Sequence, residues 1–182
     1  MQIFVETERL ILREILLTDL DGFFKLDSDP EVHRYLGNNP VTHKDQTVDM
    51  INFIRQQYVD YGIGRWAVID KNTENFIGWA GLKFVTTLTN NQQNYYDLGY
   101  RLIRDYWGHG IATETAVASL DYAFSKLNID KVYAAASCEN EGSNKILTRV
   151  GMNFIETFYH EDIKCNWYKI DKQDFDNRKL NR

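Results

Sequence analysis

The stretch Leu98-Gly-Tyr-Arg-Leu-Ile-Arg-Asp-Tyr-Trp-Gly-His-Gly-Ile-Ala-Thr-Glu114 constrains this chain more than any other. It reads as a β-strand, a tight turn at Gly108-His109-Gly110, and then a long amphipathic helix. Two glycines one residue apart let the backbone take positive φ and let a ligand approach without meeting a Cβ. The helix that follows leaves its first N–H groups without intrahelical acceptors and presents the positive end of its dipole. Strand, bare turn and helix N-terminus together predict a site for a phosphate or pyrophosphate.

Two familiar phosphate-binding patterns do not fit. In a dinucleotide-binding turn the third glycine would stand where Thr113 stands, and here several strands precede the turn while no second βαβ half follows. The Walker pattern fails because no Gly-Lys-Ser/Thr occurs. A GxG turn before a helix can also be purely structural.

The 182 residues suit one domain, spanning 1–182 with a core over roughly 5–170. A hydrophobic content of 43% with 14% aromatics fits a packed interior and argues against disorder. The net charge is −5 with no basic stripe, which argues against a nucleic-acid partner. Cys138 and Cys165 have neither CxxC nor Cys/His spacing, and His33, His43, His109 and His160 are scattered, so no metal is expected. A reduced, cytoplasmic protein is the simplest expectation. The start lacks the basic-then-apolar pattern of a signal peptide, and no apolar run approaches the roughly 20 residues of a membrane span.

Periodicity gives the element order. Arg9–Arg13 alternates as a first strand, and Thr18 or Asp19 can cap a helix over Leu20–Leu26. Lys44–Tyr61 reads as a helix through Val48, Ile51, Arg55 and Tyr58, ended by Gly62. Arg65–Ile69 and Phe76–Phe84 form a hairpin, and Tyr95–Ile103 feeds the glycine turn. The helix from Ile111 to about Leu127 carries Val117, Leu120, Phe124 and Leu127 on one face, with Ala116 and Ala123 beside them. Val132–Ser137 is the next strand, and a helix-linked pair should run parallel through a right-handed crossover. A short helix over about Gly142–Val150, with Gly151 past its end, and a hairpin of Asn153–Tyr159 with Ile163–Ile170 close the chain. The fold class predicted is α/β (α+β), one domain with a mixed sheet.

Five segments now combine. Tyr100-Arg-Leu-Ile-Arg-Asp-Tyr-Trp-Gly-His-Gly-Ile-Ala-Thr-Glu114 resembles the acetyl-CoA-binding motif of the GNAT N-acetyltransferases. In the family's order come Thr7-Glu-Arg-Leu-Ile-Leu-Arg13, Asp29-Pro-Glu-Val-His-Arg-Tyr-Leu36, Ile77-Gly-Trp-Ala-Gly-Leu82 and Glu139-Asn-Glu-Gly-Ser-Asn-Lys-Ile-Leu-Thr-Arg-Val-Gly151. The resemblance covers roughly residues 5–170, and is narrower to the branch of the ribosomal-protein N-terminal (alanine and serine) acetyltransferases. The family's Gln or Arg three residues before the first glycine is Asp105 here, and a frequent proline is Arg104.

The resemblance implies a mostly antiparallel sheet with a central, splayed parallel pair flanked by helices. It implies acetyl-CoA as co-substrate, its pyrophosphate held by N–H groups of Gly108, His109, Gly110, Ile111, Ala112 and Thr113. Backbone groups of Leu102 and Ile103 would pair with the pantetheine, and a backbone N–H near Ile103 would stabilise the oxyanion. Asn140 would contact the pantetheine arm, although its type and place equally suit helix capping. Ser143 would meet the departing thiol. Asp97, sharing a strand face with Gly99, is the candidate base, with Glu161 and Asp162 as rivals. Tyr100, Tyr106 and Tyr168 read as packing residues with a polar tip, Trp66, Trp79 and Trp107 as core or pocket wall, and His109 as a turn residue.

The acceptor implied is a primary amine, either a protein N-terminal α-amine or a small molecule. A non-catalytic CoA-binding sensor domain is the competing class. A monomer or homodimer is expected, with neither nucleic acid nor membrane as partner.

Overall fold

The computed structural model describes residues 1–180. Eight strands form one sheet in the order β1-β2-β3-β4-β5-β6-β8-β7. They are β1 (Ile3–Glu6), β2 (Leu10–Arg13), β3 (Trp66–Asp70), β4 (Phe76–Val85), β5 (Tyr95–Leu102), β6 (Lys131–Ser137), β7 (Asn153–His160) and β8 (Ile163–Asp171). Every neighbouring pair is antiparallel except β5 and β6. That parallel pair touches in register only at Asp97 and Tyr133. Beyond it, β5 stays with β4 through Leu102 while β6 stays with β8 through Ser137. Each strand follows its antiparallel partner, so the two C-terminal ends diverge and leave a gap in mid-sheet.

Helices cover the two faces unequally. On one face α4 (Ile111–Ser125) and α5 (Glu141–Val150) pack over Leu82, Leu98, Leu102, Val132 and Ala134. On the other, α1 (Leu20–Asp27) and α3 (Lys44–Tyr61) cover Ala67 and Ile69, while α2 (Pro30–His33) extends α1. Each Leu or Phe buried completely here contributes about 2 kcal/mol of transfer free energy. No helix among the described residues is long and apolar enough to cross a membrane.

Three local readings change. The buried face of α4 is Ile111, Thr115, Ala116, Ser119, Leu120, Ala123 and Phe124, while Val117 and Leu127 are only partly buried. The stripe rotates because two hydroxyls fold back onto the helix. Thr115 Oγ1 donates to the Ala112 carbonyl (3.1 Å) and Ser119 Oγ to that of Thr115 (2.6 Å), so neither is an unpaired polar group in the core. The first strand is a hairpin of two, since Ile3–Glu6 precedes Leu10–Arg13. A last helix, α6 (Lys172–Leu180), follows β8 and packs Phe175 against Phe124, ring centroids 5.0 Å apart.

Candidate active site

Between β5 and α4 the chain makes one 3-10 turn, Arg104–Tyr106, before the glycines. Gly108 and Gly110 have φ of +78° and +76°, the left-handed region that a Cβ makes costly. Gly110 is the residue at the α4 cap, and no side chain caps that helix. The first bond of α4 runs from Glu114 N–H to the Gly110 carbonyl (3.0 Å). No N–H from Gly108 to Thr113 finds an acceptor among the described residues. Six donors thus stand without acceptors at one positive dipole end, the arrangement expected of a pyrophosphate cradle.

The cradle is held from outside. Glu114, the acid of the first turn, accepts from Thr7 Oγ1 (2.5 Å) and from Arg9 Nε (2.9 Å) instead of bonding α4's own N–H groups. Arg9 also donates to the His109 carbonyl (3.2 Å). This cation beside the turn was missed from sequence, because it lies 100 residues from His109. Asp105 sits in an exposed ion pair with Lys25 (2.7 Å), which ties the turn to α1 and holds the Asp105 carboxyl below its usual range.

Strand alternation decides which backbone groups face the gap. The Ile103 N–H donates to the Ile77 carbonyl (3.0 Å), and the Ile103 carbonyl accepts from Tyr106 N–H (2.9 Å). Ile103 is therefore committed to β4 and the turn, which corrects its assignment as the oxyanion donor and pantetheine partner. Backbone groups of successive residues point to opposite sides of a strand, so those of Leu102 and Tyr100 face β6. The Leu102 carbonyl accepts from the Trp107 indole (2.8 Å), leaving the Leu102 N–H to the gap.

At the start of α5, Asn140 is a cap: its Oδ1 accepts from Ser143 N–H (3.0 Å). Its side-chain amide N–H groups remain for a ligand. Ser143 Oγ lies 3.1 Å from the Tyr100 hydroxyl, which also donates to the Ser143 carbonyl (3.2 Å). Burial pushes the Tyr100 phenol well above its ordinary pKa, so it stays protonated. Tyr100 is thus more than packing. Behind Ser143, Asn144 bonds the carbonyls of Ser137 (2.8 Å) and Asn140 (2.7 Å) and accepts from Asn166 (2.8 Å) and the Tyr168 hydroxyl (2.7 Å). This network fixes α5 to β6 and β8. Its pattern in sequence is too dispersed to read.

Asp97 is placed differently from expectation. It shares a face with Gly99 and Arg101, opposite to that of Tyr100. Its carboxylate forms an ion pair with the buried Arg65 guanidinium, which also bonds the carbonyls of Gly81 and Asp97 (2.6 Å to the latter). Arg65 occupies the Asp97 carboxylate, which corrects its assignment as the general base. Gly99 makes the arrangement possible: a Cβ there would lie 2.5 Å from Arg65. Glu161 and Asp162 are exposed at the β7–β8 tip. Among the described residues no cluster of His, Cys, Asp and Glu could hold a metal ion.

Residues 9–153 match the model of the acetyltransferase (GNAT) domain. The uncharacterized N-acetyltransferase p20 of Bacillus licheniformis is 35% identical over 141 residues, 78% of this chain and 77% of that protein. The solved spermidine N-acetyltransferase of Vibrio cholerae, in complex with CoA and spermine, shares the fold with a TM-score of 0.76 at 19% identity, covering 93% of this chain and 99% of that one. The ribosomal-protein-S5-alanine acetyltransferase of Vibrio fischeri does so with 0.74 at 17%, over 94% and 97%. The splayed sheet, the uncapped helix and these matches place this chain in the GNAT acetyltransferase family.

Proposed function

We propose that this enzyme moves an acetyl group from acetyl-CoA directly to a primary amine, with the six free N–H groups from Gly108 to Thr113 as the observation that carries the reading. They suit the pyrophosphate, and the Leu102 N–H in the gap suits the pantetheine or the thioester oxygen. The donor supplies an activated thioester. Everything else falls to the chain's own groups.

The attacking amine must be neutral, so an acceptor ammonium first gives up a proton. With Asp97 paired to Arg65, that proton leaves through water or toward the exposed Glu161 and Asp162. As the tetrahedral centre collapses, the nitrogen gives its remaining extra proton to water, the C–S bond breaks and its electron pair stays on sulfur. Ser143 Oγ–H then turns from the Tyr100 phenol oxygen to the thiolate, while the neutral phenol keeps its single proton on the Ser143 carbonyl and holds the first turn of α5 in place. A thiol of pKa about 8.5 is a good enough leaving group for that bond to suffice without full proton transfer.

Between acceptor classes, a protein N-terminal α-amine and a small amine both stay open; the ribosomal-protein and spermidine neighbours support them equally. A cytoplasmic location belongs to the same proposal. The test is acetyl-CoA with a mixed panel of peptides and small amines, read by thiol release and mass spectrometry. Thiol and acetylated amine appearing one to one support the reading. Tight acetyl-CoA binding with no product from any amine would favour the sensor-domain alternative.

A further inference from the structure

The face of the sheet opposite α4 carries an alternating set of charges around Trp79. Arg65 and Arg101 place their guanidinium carbons 5.4 and 5.0 Å from the Trp79 ring. Arg65 is spent on Asp97 and two carbonyls. Arg101 gives one nitrogen, Nη1, to Asp27 (2.6 Å). Lys83 stands directly across from Asp97 in the β4–β5 register. It has neither a hydrogen bond nor an ion pair among the described residues, and it is only partly buried. In this cluster, three cations therefore meet two carboxylates. The unmatched charge is that of Lys83.

The surroundings keep that charge available. Asp97 draws the Lys83 ammonium upward, but burial together with Arg65 and Arg101 prevails and leaves it below its ordinary pKa. An excess of nearby cations has this effect, and a bound anion relieves it. Arg65 holds the Asp97 carboxylate through Oδ2, on the strand position directly across from Lys83. Lys83 thus stands as an unpaired ammonium beside the point where β5 and β6 part. A polyamine has no anion to offer Lys83 and adds positive charge to a site that already has a surplus.

Resting on the acetyltransferase reading, we propose that the acceptor is an amine that also carries a carboxylate, its anion bound by Lys83. The carboxylate can come from a free amino acid or from an acidic residue near a peptide N-terminus.

The test compares kcat/KM across matched acceptors: amino acids and acidic peptides, the same molecules with the carboxylate amidated, and spermidine. The carboxylate forms should exceed their amides by about tenfold or more, because a site built for a charged group penalises its absence. Lys83→Gln should bring that ratio close to one, and Lys83→Arg should restore most of it, with thermal melts checking that both variants fold. Amino acids and peptides in separate arms identify the source. Equal rates for acid and amide, a preference for spermidine, or a ratio unmoved in Lys83→Gln would overturn the proposal while leaving the acetyltransferase reading in place. Release of no thiol with any amine would overturn both.

Discussion

Two helices, α4 and α5, begin in the same way and end up with opposite N-termini. Each follows one of the diverging parallel strands, β5 or β6, and each starts beside the gap. At α5 the Asn140 side chain takes the Ser143 N–H, and Asn144 ties the first turn to Ser137. At α4 a left-handed glycine occupies the cap, and the acid of the first turn is diverted to Thr7 and Arg9. A side-chain cap is worth about 1 kcal/mol. One helix takes that stabilisation; the other leaves its donors for a ligand. The lesson is that local stability has been withheld where an anion binds and applied where a hydroxyl must be aimed.

The largest effect that can break this comparison is at Gly110. Gly110→Val puts a β-branched side chain at φ +76° and into the ligand's path. Acetyl-CoA affinity should fall at least about tenfold, roughly 1.4 kcal/mol, by calorimetry on protein that still melts cooperatively. Normal affinity in a folded variant would remove the cradle from this turn.

Next comes Ser143. Its backbone N–H, not its hydroxyl, completes the α5 cap, so Ser143→Ala should leave the melting temperature nearly unchanged. If the hydroxyl meets the leaving sulfur, kcat should drop about tenfold or more with little change in KM for acetyl-CoA. Full turnover in that variant would end the leaving-group role and spare the fold.

Asn140→Ala should do the reverse in stability. Loss of the cap should cost about 1 kcal/mol in denaturant unfolding. A melt that does not move would mean that Asn140 serves the ligand alone.

The smallest effect concerns His33, buried at the edge of the Trp79 cluster with Nε2 3.7 Å from Asp27. Burial and then Arg101 hold its pKa below the ordinary value, with Asp27 opposing. A base whose folded pKa is lowered stabilises fully above its unfolded value, about pH 6.5, and loses that contribution as pH falls toward the folded one. His33→Gln should therefore flatten the pH dependence of melting as pH falls below about 6.5. An unchanged slope would assign the acid sensitivity elsewhere.

How much of this could be read from sequence follows from the range of each interaction. Gly108 and Gly110 were legible because the turn's requirement is written in the residues that make it. The gap was legible through the resemblance, and the parallel crossover through the β-α-β order. Strand β1 was not, since four residues with a burial pattern of exposed, half, half, exposed give no alternation. Helix α6 was missed because Phe175 is the only large apolar residue ahead of its final Leu180. Asp97 was misjudged for a different reason. Its partner Arg65 is 32 residues away, just ahead of β3, and nothing local announces that ion pair. Asn144 likewise gathers Ser137, Asn166 and Tyr168 only once the sheet has formed.

The central claim, that one helix start is reserved for a phosphate while its neighbour is capped, is tested most directly by amide NMR of isotopically labelled protein titrated with CoA. The N–H signals of Gly108 to Thr113 should move together and saturate, and those of Ser143 and Asn144 should move less. Saturable shifts confined to other amides, with the Gly108–Thr113 signals unmoved, would contradict it.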